Sequence, residues 1–509
     1  MPDVDVVVVG GGPNGLVAAA RLARAGWSVA VLERAGVVGG AVGTDRGPHG
    51  VGHDWGSAFY GVLRAGPVWD GLGLGRRLAW ADGPVPVAAT WAPGHAALLH
   101  RDPDVTAAGL GTDAQAWRDL VGWWRAEGRA AFDLVLGPLP GLAGPRALGL
   151  ALRLGPRRGL QLAAEFLEPV TSYARRHFAG DAARALLLGH ATHVDVGIDA
   201  AGSTPPALLL TLVAQEHGMP VPVGGADRLA AALAGAVTEA GGVVRTDAEV
   251  VGIDVRAGRA VGVRLADGET VSARRAVLAD TSPHVLAREL VGDEHLPGPW
   301  LGALRRHRYA ARGFARLDVD LRGDTPWAAP ELGTASVVHV TGSLADLRHA
   351  EAAACSGELP AAPALIVGQQ DVVDPSRVVD GVRTLWAEWH APTSGWTRQR
   401  RQDMTRTVLG VLEAHAPGLA GRTLGVSLAT PADLAGRDPN LVGGDVGGGS
   451  AAPDQQLVFR PAPGWPAYAT GLRGLWMCSA ASHPGGGAHG LVGWHAARAV
   501  LWAGRTGRG

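Results

Sequence analysis

The segment VDVVVVGGGPNG, residues 4–15, decides the fold that the sequence predicts. A β-branched run leads into three glycines, and a helical pattern follows over residues 14–25, with Gly26 as its stop. A second apolar strand over residues 28–32 ends at Glu33. Strand, glycine loop, helix and strand together fill about 30 residues, which is the context that a dinucleotide-binding βαβ unit requires.

The glycine loop has the spacing GxGxxG, with its defining positions at Gly10, Gly12 and Gly15. The first glycine permits a tight turn, the second lets the backbone approach a pyrophosphate, and the third lets the helix pack closely on the strands. The helix then points its positive end at the phosphates. Glu33 is placed to accept hydrogen bonds from ribose hydroxyls and would repel a 2′-phosphate. The segment therefore predicts dinucleotide binding.

Two further glycine-rich segments indicate which dinucleotide is bound. The doublet Gly39-Gly40, followed by Ala41, lies just past the ribose-binding acid. Extra backbone contact there suits an extended cofactor such as FAD, and a plain turn that uses two glycines is the alternative. Residues 476–493 then form a predicted strand, a glycine-rich loop and a helix that begins near Gly490. A helix N-terminus aimed at a flavin would stabilise negative charge on the reduced ring.

Together these residues resemble the phytoene desaturase-related flavoproteins, which are FAD-dependent desaturases, isomerases and oxidases, in the branch whose second motif reads Gly-Gly-Ala. The matching segments run the length of the chain: residues 6–15, 33–41, 222–229, 279–286, 440–449, 459–461 and 482–490. The resemblance implies an α/β fold, a Rossmann-like FAD-binding domain with an inserted α+β substrate domain of mixed sheet plus helices. The expected domain bounds are residues 1–85, 221–290 and 430–509 for FAD binding, and 86–220 and 291–429 for the substrate.

The motifs and the resemblance also predict a set of cofactor-binding residues. They are Gly10, Gly12, Pro13, Asn14, Gly15, Glu33, Arg34, Gly39, Gly40, Ala41, Ser57, Val250, Ala480, His483, Gly486, Gly487, Gly490, Leu491 and Val492. The resemblance implies that Glu33 holds the adenosine ribose, that the strand around Val250 lies beside the adenine, and that residues 482–492 lie against the isoalloxazine. Ala41 replaces the arginine of the carotenoid desaturases, so their flavin contact at this position cannot be carried over.

Three residues are candidates for a catalytic role: His53, His489 and Arg316. A histidine beside a carboxylate can act as a base near neutral pH, although Asp54 need not touch His53 merely because it is adjacent in sequence. His489 lies in the C-terminal glycine loop, where lining the flavin is its alternative role. Arg316 could anchor a substrate carboxylate or carbonyl, and a salt bridge to an acid in the same sheet is the equal alternative.

Composition excludes several other kinds of chemistry. With 509 residues the chain is long enough for two domains. All 46 basic residues are arginine, which excludes a lysine Schiff base. Flavin amine oxidases of similar fold commonly use a lysine near the flavin N5, so an amine substrate is disfavoured. The two cysteines form no CxxC, and His190 and His193 lack a third ligand at zincin spacing, so we expect no metal. A net charge of −1 gives no sign of nucleic-acid binding.

We therefore expect an FAD-dependent oxidoreductase, namely a desaturase or dehydrogenase that moves a hydride from an apolar or polyene-like secondary metabolite to flavin N5. A flavin-dependent isomerase or oxidase is one alternative, and a non-catalytic escort or binding protein with this fold is another. The sequence shows no second fingerprint for a nicotinamide cofactor, so oxygen or a quinone is the expected electron acceptor.

The sequence also bears on where the protein acts. No apolar run is long enough to span a membrane, and Asp3 and Asp5 stand where a signal peptide would carry positive charge, so we expect a cytoplasmic protein. Residues 142–160 combine apolar side chains with arginines, a pattern that suits a peripheral membrane contact. A solvated helix edge or a subunit contact is the alternative, and the oligomeric state is left open.

Overall fold

The computed structural model describes residues 3–138, 145–465 and 468–506. Its strands are β1 (Val4–Val9), β2 (Val29–Leu32), β3 (Thr44–Arg46), β4 (Gly52–Asp54), β5 (Trp80–Ala81), β6 (Val87–Thr90), β7 (Ala97–Leu99), β8 (Val221–Pro222), β9 (Val243–Arg245), β10 (Val250–Arg256), β11 (Arg259–Leu265), β12 (Thr270–Ala279), β13 (Gly313–Arg322), β14 (Val337–Val340), β15 (Leu365–Gly368), β16 (Val382–Ala391), β17 (Thr423–Ala429) and β18 (Leu475–Met477).

The α-helices are α1 (Pro13–Arg24), α2 (Gly61–Ala65), α3 (Pro67–Leu72), α4 (Leu74–Arg77), α5 (Pro103–Ala108), α6 (Ala114–Trp123), α7 (Arg129–Val135), α8 (Pro145–Leu167), α9 (Val170–His177), α10 (Asp181–Ala191), α11 (Thr204–His217), α12 (Asp227–Thr238), α13 (Pro283–Val285), α14 (Gly298–Leu304), α15 (Leu344–Ser356), α16 (Arg398–His415), α17 (Leu419–Arg422), α18 (Pro431–Arg437) and α19 (Leu491–Thr506). Trp124–Gly128 and Leu286–Val291 are π-helical turns.

The first sheet has the strand order β10-β11-β12-β1-β2-β9, and β18 also pairs with β12. The pairs of β1 with β12 and with β2 are parallel, as are those of β12 with β18 and β2 with β9. Helices α1, α12 and α19 cover one face, where Val6 and Val8 share a core with Leu16 and Val492. Alternate valines of β1, such as Val7, point into a second core on the opposite face. Burial on both faces explains why β1 is continuously apolar.

The second sheet is mixed, with the strand order β17-β13-β16-β15-β14-β6-β7. The long strands β13 and β16 pair antiparallel along their whole length, whereas β14 and β6 are parallel. One face packs against helices α9, α10 and α11, and the other packs against α16. The mixed sheet with helices that the resemblance implies is therefore confirmed.

The bounds of the elements predicted around the glycine motifs follow the sequence expectation. Helix α1 covers Pro13–Arg24, and α19 begins at Leu491, next to the expected start. Residues 259–279 form β11 and one long strand, β12. The start of β12 pairs antiparallel with β11, and its end pairs parallel with β1 and β18. A single extended strand can serve different neighbours along its length, which the hydrophobic pattern alone does not reveal.

The two sheets draw on different parts of the chain. The first uses strands between residues 4 and 32, between 243 and 279, and at 475–477. The second uses strands between residues 87 and 99 and between 313 and 429. We propose that the two sheets are the centres of the two expected domains, with the bounds given above.

Helix α8 covers most of the segment for which a membrane contact is one expectation. Residues 142–144 lie outside the described residues, and the helix beyond them is kinked at Gly155, followed by Pro156. Its exposed apolar side chains are Leu148, Leu152, Leu160 and Leu167. Within the described ranges, none of the helices has both the length and the apolar character needed to cross a bilayer.

Candidate functional site

The first glycine loop is closed tightly around the start of α1. Gly10 has a φ of +99°, and a Cβ on Gly15 would lie 2.3 Å from the Gly10 carbonyl oxygen. The two carboxylate oxygens of Glu33 accept hydrogen bonds from the Gly11 and Ala35 N–H groups, at 2.7 and 2.9 Å. Backbone groups of the protein itself therefore hold the Glu33 carboxylate against the loop.

The glycine doublet packs directly on this loop. The Gly39 N–H donates to the Gly11 carbonyl oxygen at 2.9 Å, and a Cβ on Gly40 would lie 3.3 Å from the Gly12 Cα. The Ala41 carbonyl oxygen accepts from the Ser57 N–H at 2.8 Å. The structure thus brings Gly39 and Gly40 against the first loop, with Ala41 and Ser57 next to them, and the two glycine segments form one backbone-lined surface.

The C-terminal segment joins the same place through α19. A Cβ on Gly493 would lie 1.9 Å from the Asn14 carbonyl oxygen, and one on Gly490 would lie 2.8 Å from the side chain of Val17. The N-termini of α1 and α19 therefore lie side by side, with Val492 buried between them and the sheet. We call the meeting place of residues 10–15, 39–41 and 486–493 the glycine cradle.

Arg460, which lies outside the cradle, holds the C-terminal loop in place. In the sequence this residue belongs to the matching segment 459–461, but it is not among the predicted site residues. Its buried guanidinium donates to the carbonyl oxygens of Gly447 and Ala480, at 2.5 and 3.0 Å. A Cβ on Gly486 would lie 2.7 Å from the Gly447 Cα, and one on Gly487 would lie 3.3 Å from His489. Two glycine-rich loops are thus pinned together by one cation.

The histidines of this segment are buried and bound to backbone groups. His483 and His495 lie 2.8 and 3.1 Å from the carbonyl oxygens of Gly137 and Leu136, at the end of α7. His489 Nδ1 accepts from the Leu491 N–H at 3.1 Å. Burial lowers the pKa of His483 and His489 to about 4 and that of His495 to about 3. All three rings are therefore neutral near pH 7.

His53 does not pair with Asp54 but with two acids of β13. Its Nε2 lies 2.6 Å from Asp320 Oδ1, and its Nδ1 lies 3.4 Å from Asp318 Oδ1. Burial opposes the charged ring, but hydrogen bonds and charge interactions with both carboxylates outweigh it and raise the pKa of His53. Asp54 instead accepts a hydrogen bond from Arg377 at 2.9 Å.

Arg316 joins the same group of charges and is only 1% exposed. Its Nε donates to Asp318 at 2.9 Å, and its Nη1 donates to Glu388 at 3.0 Å, directly across from it on β16. The guanidinium also lies 4.3 Å from the ring centre of Trp386. The salt bridge within the sheet, one of the two alternatives for Arg316, is thus present. We call His53, Arg316, Asp318, Asp320 and Glu388 the charge cluster.

Sequence reasoning named two members of the charge cluster and missed the three acids. One signal was available, since Arg316, Asp318 and Asp320 alternate along one strand and must share a face. Glu388 carries no comparable signal, because the register of β13 against β16 is a tertiary property. Asp280 was also missed as a site residue; its Oδ2 accepts from the Gly15 N–H at 2.8 Å.

Two predicted cofactor residues lie at the margin of this arrangement. Val250 begins β10, an edge strand of the first sheet, and is paired with Leu265. Arg34 is exposed and points its guanidinium towards the Arg437 carbonyl oxygen, at 3.4 Å. The structure therefore places neither of them in the glycine cradle.

A cavity of about 360 Å³ lies between the helices of the first sheet and the helical roof of the second. Its apolar wall includes Val62, Phe132, Leu209, Val213 and Leu491, the first residue of α19. Its cations are Arg21, Arg129 and Arg498. The Arg129 Nη1 donates to Glu216 at 2.7 Å, whereas burial and the nearby charge of Arg498 lower the pKa of Arg21 to about 10.

His190, near the end of α10, and His193, just beyond it, meet His339 of β14. His193 Nε2 lies 2.8 Å from His339 Nε2, and the His190 and His339 ring centres are 4.8 Å apart. Burial lowers the pKa of all three rings. Across the described part of the chain, no group of three or more histidine, cysteine or acidic side chains has an arrangement that could hold a metal ion.

Known proteins share this architecture. The profile of the family described as flavin containing amine oxidoreductase matches residues 14–313. Pyridine nucleotide-disulfide oxidoreductase domain-containing protein 2 of Rattus norvegicus is 28% identical over 558 residues, which cover 98% of this chain and 94% of that protein. The hydroxyneurosporene desaturase of Cereibacter sphaeroides is 28% identical over 528 residues, which cover 97% of each chain.

Solved structures have the same fold. Wild-type putrescine oxidase bound to putrescine matches with a TM-score of 0.61 at 15% identity, over 98% of this chain and 99% of that one. Cyclohexylamine oxidase from Brevibacterium oxydans matches with a TM-score of 0.59 at 18% identity, over 99% of this chain and 100% of that one. At these identities the likeness concerns the fold alone.

The fold, the cradle and these relatives define an FAD-dependent oxidoreductase. The chain belongs to the flavin containing amine oxidoreductase family, whose profile covers more than half of its length. The expectation of an FAD enzyme related to the phytoene desaturases is confirmed. The residues present fit this cofactor, because the absence of side chains at Gly15, Gly40 and Gly493 lets the three segments pack closely enough to form one backbone-lined surface.

Proposed function

We propose that the protein is a desaturase or dehydrogenase that removes a hydride from an activated C–H bond of an apolar small molecule. Bound FAD supplies the hydride-accepting chemistry. The relative named as a hydroxyneurosporene desaturase supports a polyene-like substrate from secondary metabolism. Oxygen or a quinone is the proposed electron acceptor, because the sequence shows a single dinucleotide fingerprint.

The charge of the large cavity carries this proposal. Of the described residues that line it, Arg21, Arg129 and Arg498 are cations and Asp133 is the only acid. A protonated amine would approach Arg21 and Arg498 against electrostatic repulsion, whereas an uncharged apolar molecule would meet an apolar wall. The chain also lacks lysine. An apolar substrate therefore suits this cavity better than the amines named for the structural neighbours.

We propose that the glycine cradle holds the cofactor by its backbone. Residues 10–15 bind the pyrophosphate, Glu33 binds the adenosine ribose, and residues 482–492 lie against the isoalloxazine. The hydrogen bonds that Glu33 accepts from the glycine loop support this assignment, because they fix the acid at the position that the fingerprint requires. Leu491 belongs to both the cradle and the cavity wall, so the substrate would approach the flavin from the cavity.

We propose different roles for the three catalytic candidates. The Arg316 Nη2 is buried and has no hydrogen-bond partner among the described residues, so it is the donor that a carboxylate or carbonyl of the substrate would use. The raised pKa of His53 favours its protonated form, which would offset part of the negative charge of the acids in the charge cluster. His489 bonds to the backbone of its own loop, which favours a positioning role over proton exchange.

Anaerobic reduction of the bound flavin tests the proposed substrate class. The holoprotein is mixed without oxygen with an acyclic polyene in detergent micelles, and separately with putrescine or cyclohexylamine, while the visible flavin absorbance is followed. We expect bleaching by the polyene and a product that has lost two hydrogens by mass spectrometry. The Ala65→Trp variant, which narrows the cavity, should slow this bleaching and retain its FAD.

Two outcomes would replace the proposal. Bleaching by an amine and not by any polyene would make the protein an amine oxidase in activity as well as in family. A product of unchanged mass that forms only after the flavin has been reduced would establish the isomerase alternative instead.

A further inference from the structure

Asp280 places its carboxyl group inside the glycine cradle. It follows β12 directly and is only 7% exposed. Its Oδ2 accepts a hydrogen bond from the Gly15 N–H at 2.8 Å and lies 2.7 Å from where a Cβ on Gly12 would be. The Asn440 side chain donates to the Asp280 backbone carbonyl oxygen at 3.0 Å and holds it from the other side. The carboxyl thus occupies the first turn of α1, whose free N–H groups are the donors that suit a phosphate.

The groups that face Asp280 make its negative charge costly. Burial, together with the charges of Asp438 and Glu33, raises its pKa to about 8 against the hydrogen bond from Gly15. The Cys478 thiol, behind the carboxyl, is also buried, and its pKa lies well above the ordinary value. Arg34 acts on Asp438 rather than on Asp280. The carboxyl group therefore holds a proton at neutral pH.

We propose that Asp280 couples FAD binding to a proton: the pyrophosphate binds beside Asp280 when its carboxyl is protonated, and ionisation of that carboxyl weakens binding. In the neutral acid one oxygen continues to accept from Gly15 while the hydroxyl is a donor for a phosphate oxygen. The ionised group would instead set a negative charge beside the anionic cofactor, next to Glu33 and Asp438. Binding FAD to the ionised form consequently takes up one proton.

The dissociation constant of FAD as a function of pH tests this coupling. Holoprotein is diluted at pH values from about 6.5 to 9, and the fluorescence of released FAD gives the constant at each pH. In the wild type it should rise by up to about tenfold for each pH unit above the pKa of the carboxyl, the limit for one linked proton. The Asp280→Asn variant keeps the acceptor for Gly15 and cannot ionise, so its constant should be flat and lower than that of the wild type at pH 9.

Asp438→Asn is the matched control, because Asp438 is also a buried acid near Glu33 but is not hydrogen-bonded to the glycine loop. It should keep the slope of the wild type, with the rise displaced to lower pH because the charge of Asp438 no longer raises the pKa of Asp280. A flat wild-type profile, or an Asp280→Asn profile as steep as the wild type, overturns the proposal.

A measurement on the wild type alone covers the case in which the variant does not fold. With a pH-indicator dye in weak buffer at about pH 8.5, FAD release should liberate close to one proton per site. No proton release would contradict the coupling. Because neither measurement involves a substrate, the proposal stands or falls separately from the proposed desaturase reaction.

Discussion

The glycine cradle and the charge cluster are held together by different kinds of interaction. The cradle is built from backbone groups that approach within contact distance because Gly15, Gly40 and Gly493 carry no side chain. The charge cluster is built from long ionic side chains that meet across β13 and β16. A surface formed by close backbone contacts is disrupted when a single atom is added. A network of charges instead loses stability gradually, as individual interactions are removed. The difference predicts how each region responds to substitution.

The largest effect is expected for Gly493→Ala in the cradle. The added Cβ would lie 1.9 Å from the Asn14 carbonyl oxygen, and the clash is with backbone that cannot move aside without separating α19 from α1. We expect loss of bound FAD, measured as flavin absorbance per protein after gel filtration. Gly159→Ala is the control, because its Cβ would meet nothing within 4 Å and alanine suits a helix better than glycine. Retention of FAD by Gly493→Ala would show that the two helices are not locked together.

The next largest effect is expected for Arg316→Met in the charge cluster. The substitution keeps an apolar side chain of similar length but leaves Asp318 and Glu388 without their buried cation. We expect a loss of about 3–5 kcal/mol in the free energy of unfolding, measured by chemical denaturation, with FAD still bound. Arg406→Gln, which breaks the exposed pair with Asp403, should cost less than about 1 kcal/mol.

A second substitution separates lost charge balance from lost packing. Adding Glu388→Gln to Arg316→Met removes one unpaired acid and should recover part of the lost stability. No recovery would mean that Arg316 acts mainly through its packing on Trp386, and the contrast between the two regions would weaken.

The two regions also differ in how far the sequence predicts them. The fingerprint glycines, the doublet and Glu33 can be recognised in the sequence because the local backbone at each position requires a particular residue type. The charge cluster cannot be recognised in this way, since Arg316 and Glu388 are 72 residues apart and meet only through strand register. Asp280 lies 265 residues from Gly15 for the same reason. The adjacent pair His53-Asp54 was a misleading signal, because neighbours along a strand point to opposite faces.

A smaller effect is expected from the histidines that tie the cradle to α7. The pKa of His495 is about 3, so between about pH 6.5 and that value the unfolded chain binds a proton that the folded chain does not. The folded protein therefore becomes less stable relative to the unfolded chain as pH falls through this range. His495→Gln keeps a donor for Leu136 and should reduce the loss between pH 7 and pH 5 by about 2 kcal/mol, measured by denaturation at both pH values.

His53 gives the opposite sign and so sharpens the comparison. Its pKa is raised in the folded protein, so its contribution is fully present below the ordinary histidine pKa and is lost as pH rises through the folded value. His53→Gln should therefore make stability less sensitive to rising pH, whereas His495→Gln makes it less sensitive to acid. Equal responses of the two variants would contradict the opposite directions of the two pKa shifts.

The smallest effect is expected at the cavity, where neither steric nor buried ionic contacts are at stake. Arg498 is exposed on α19, so Arg498→Glu should leave FAD content and stability unchanged. It reverses a charge at the cavity and should favour entry of putrescine over an apolar molecule by a few-fold, an advantage that added salt removes. Arg505→Glu, on the same helix but outside the cavity lining, should change neither. If Arg498→Glu does not alter the relative binding of the two ligands, measured by perturbation of the flavin spectrum, the cavity is not their route.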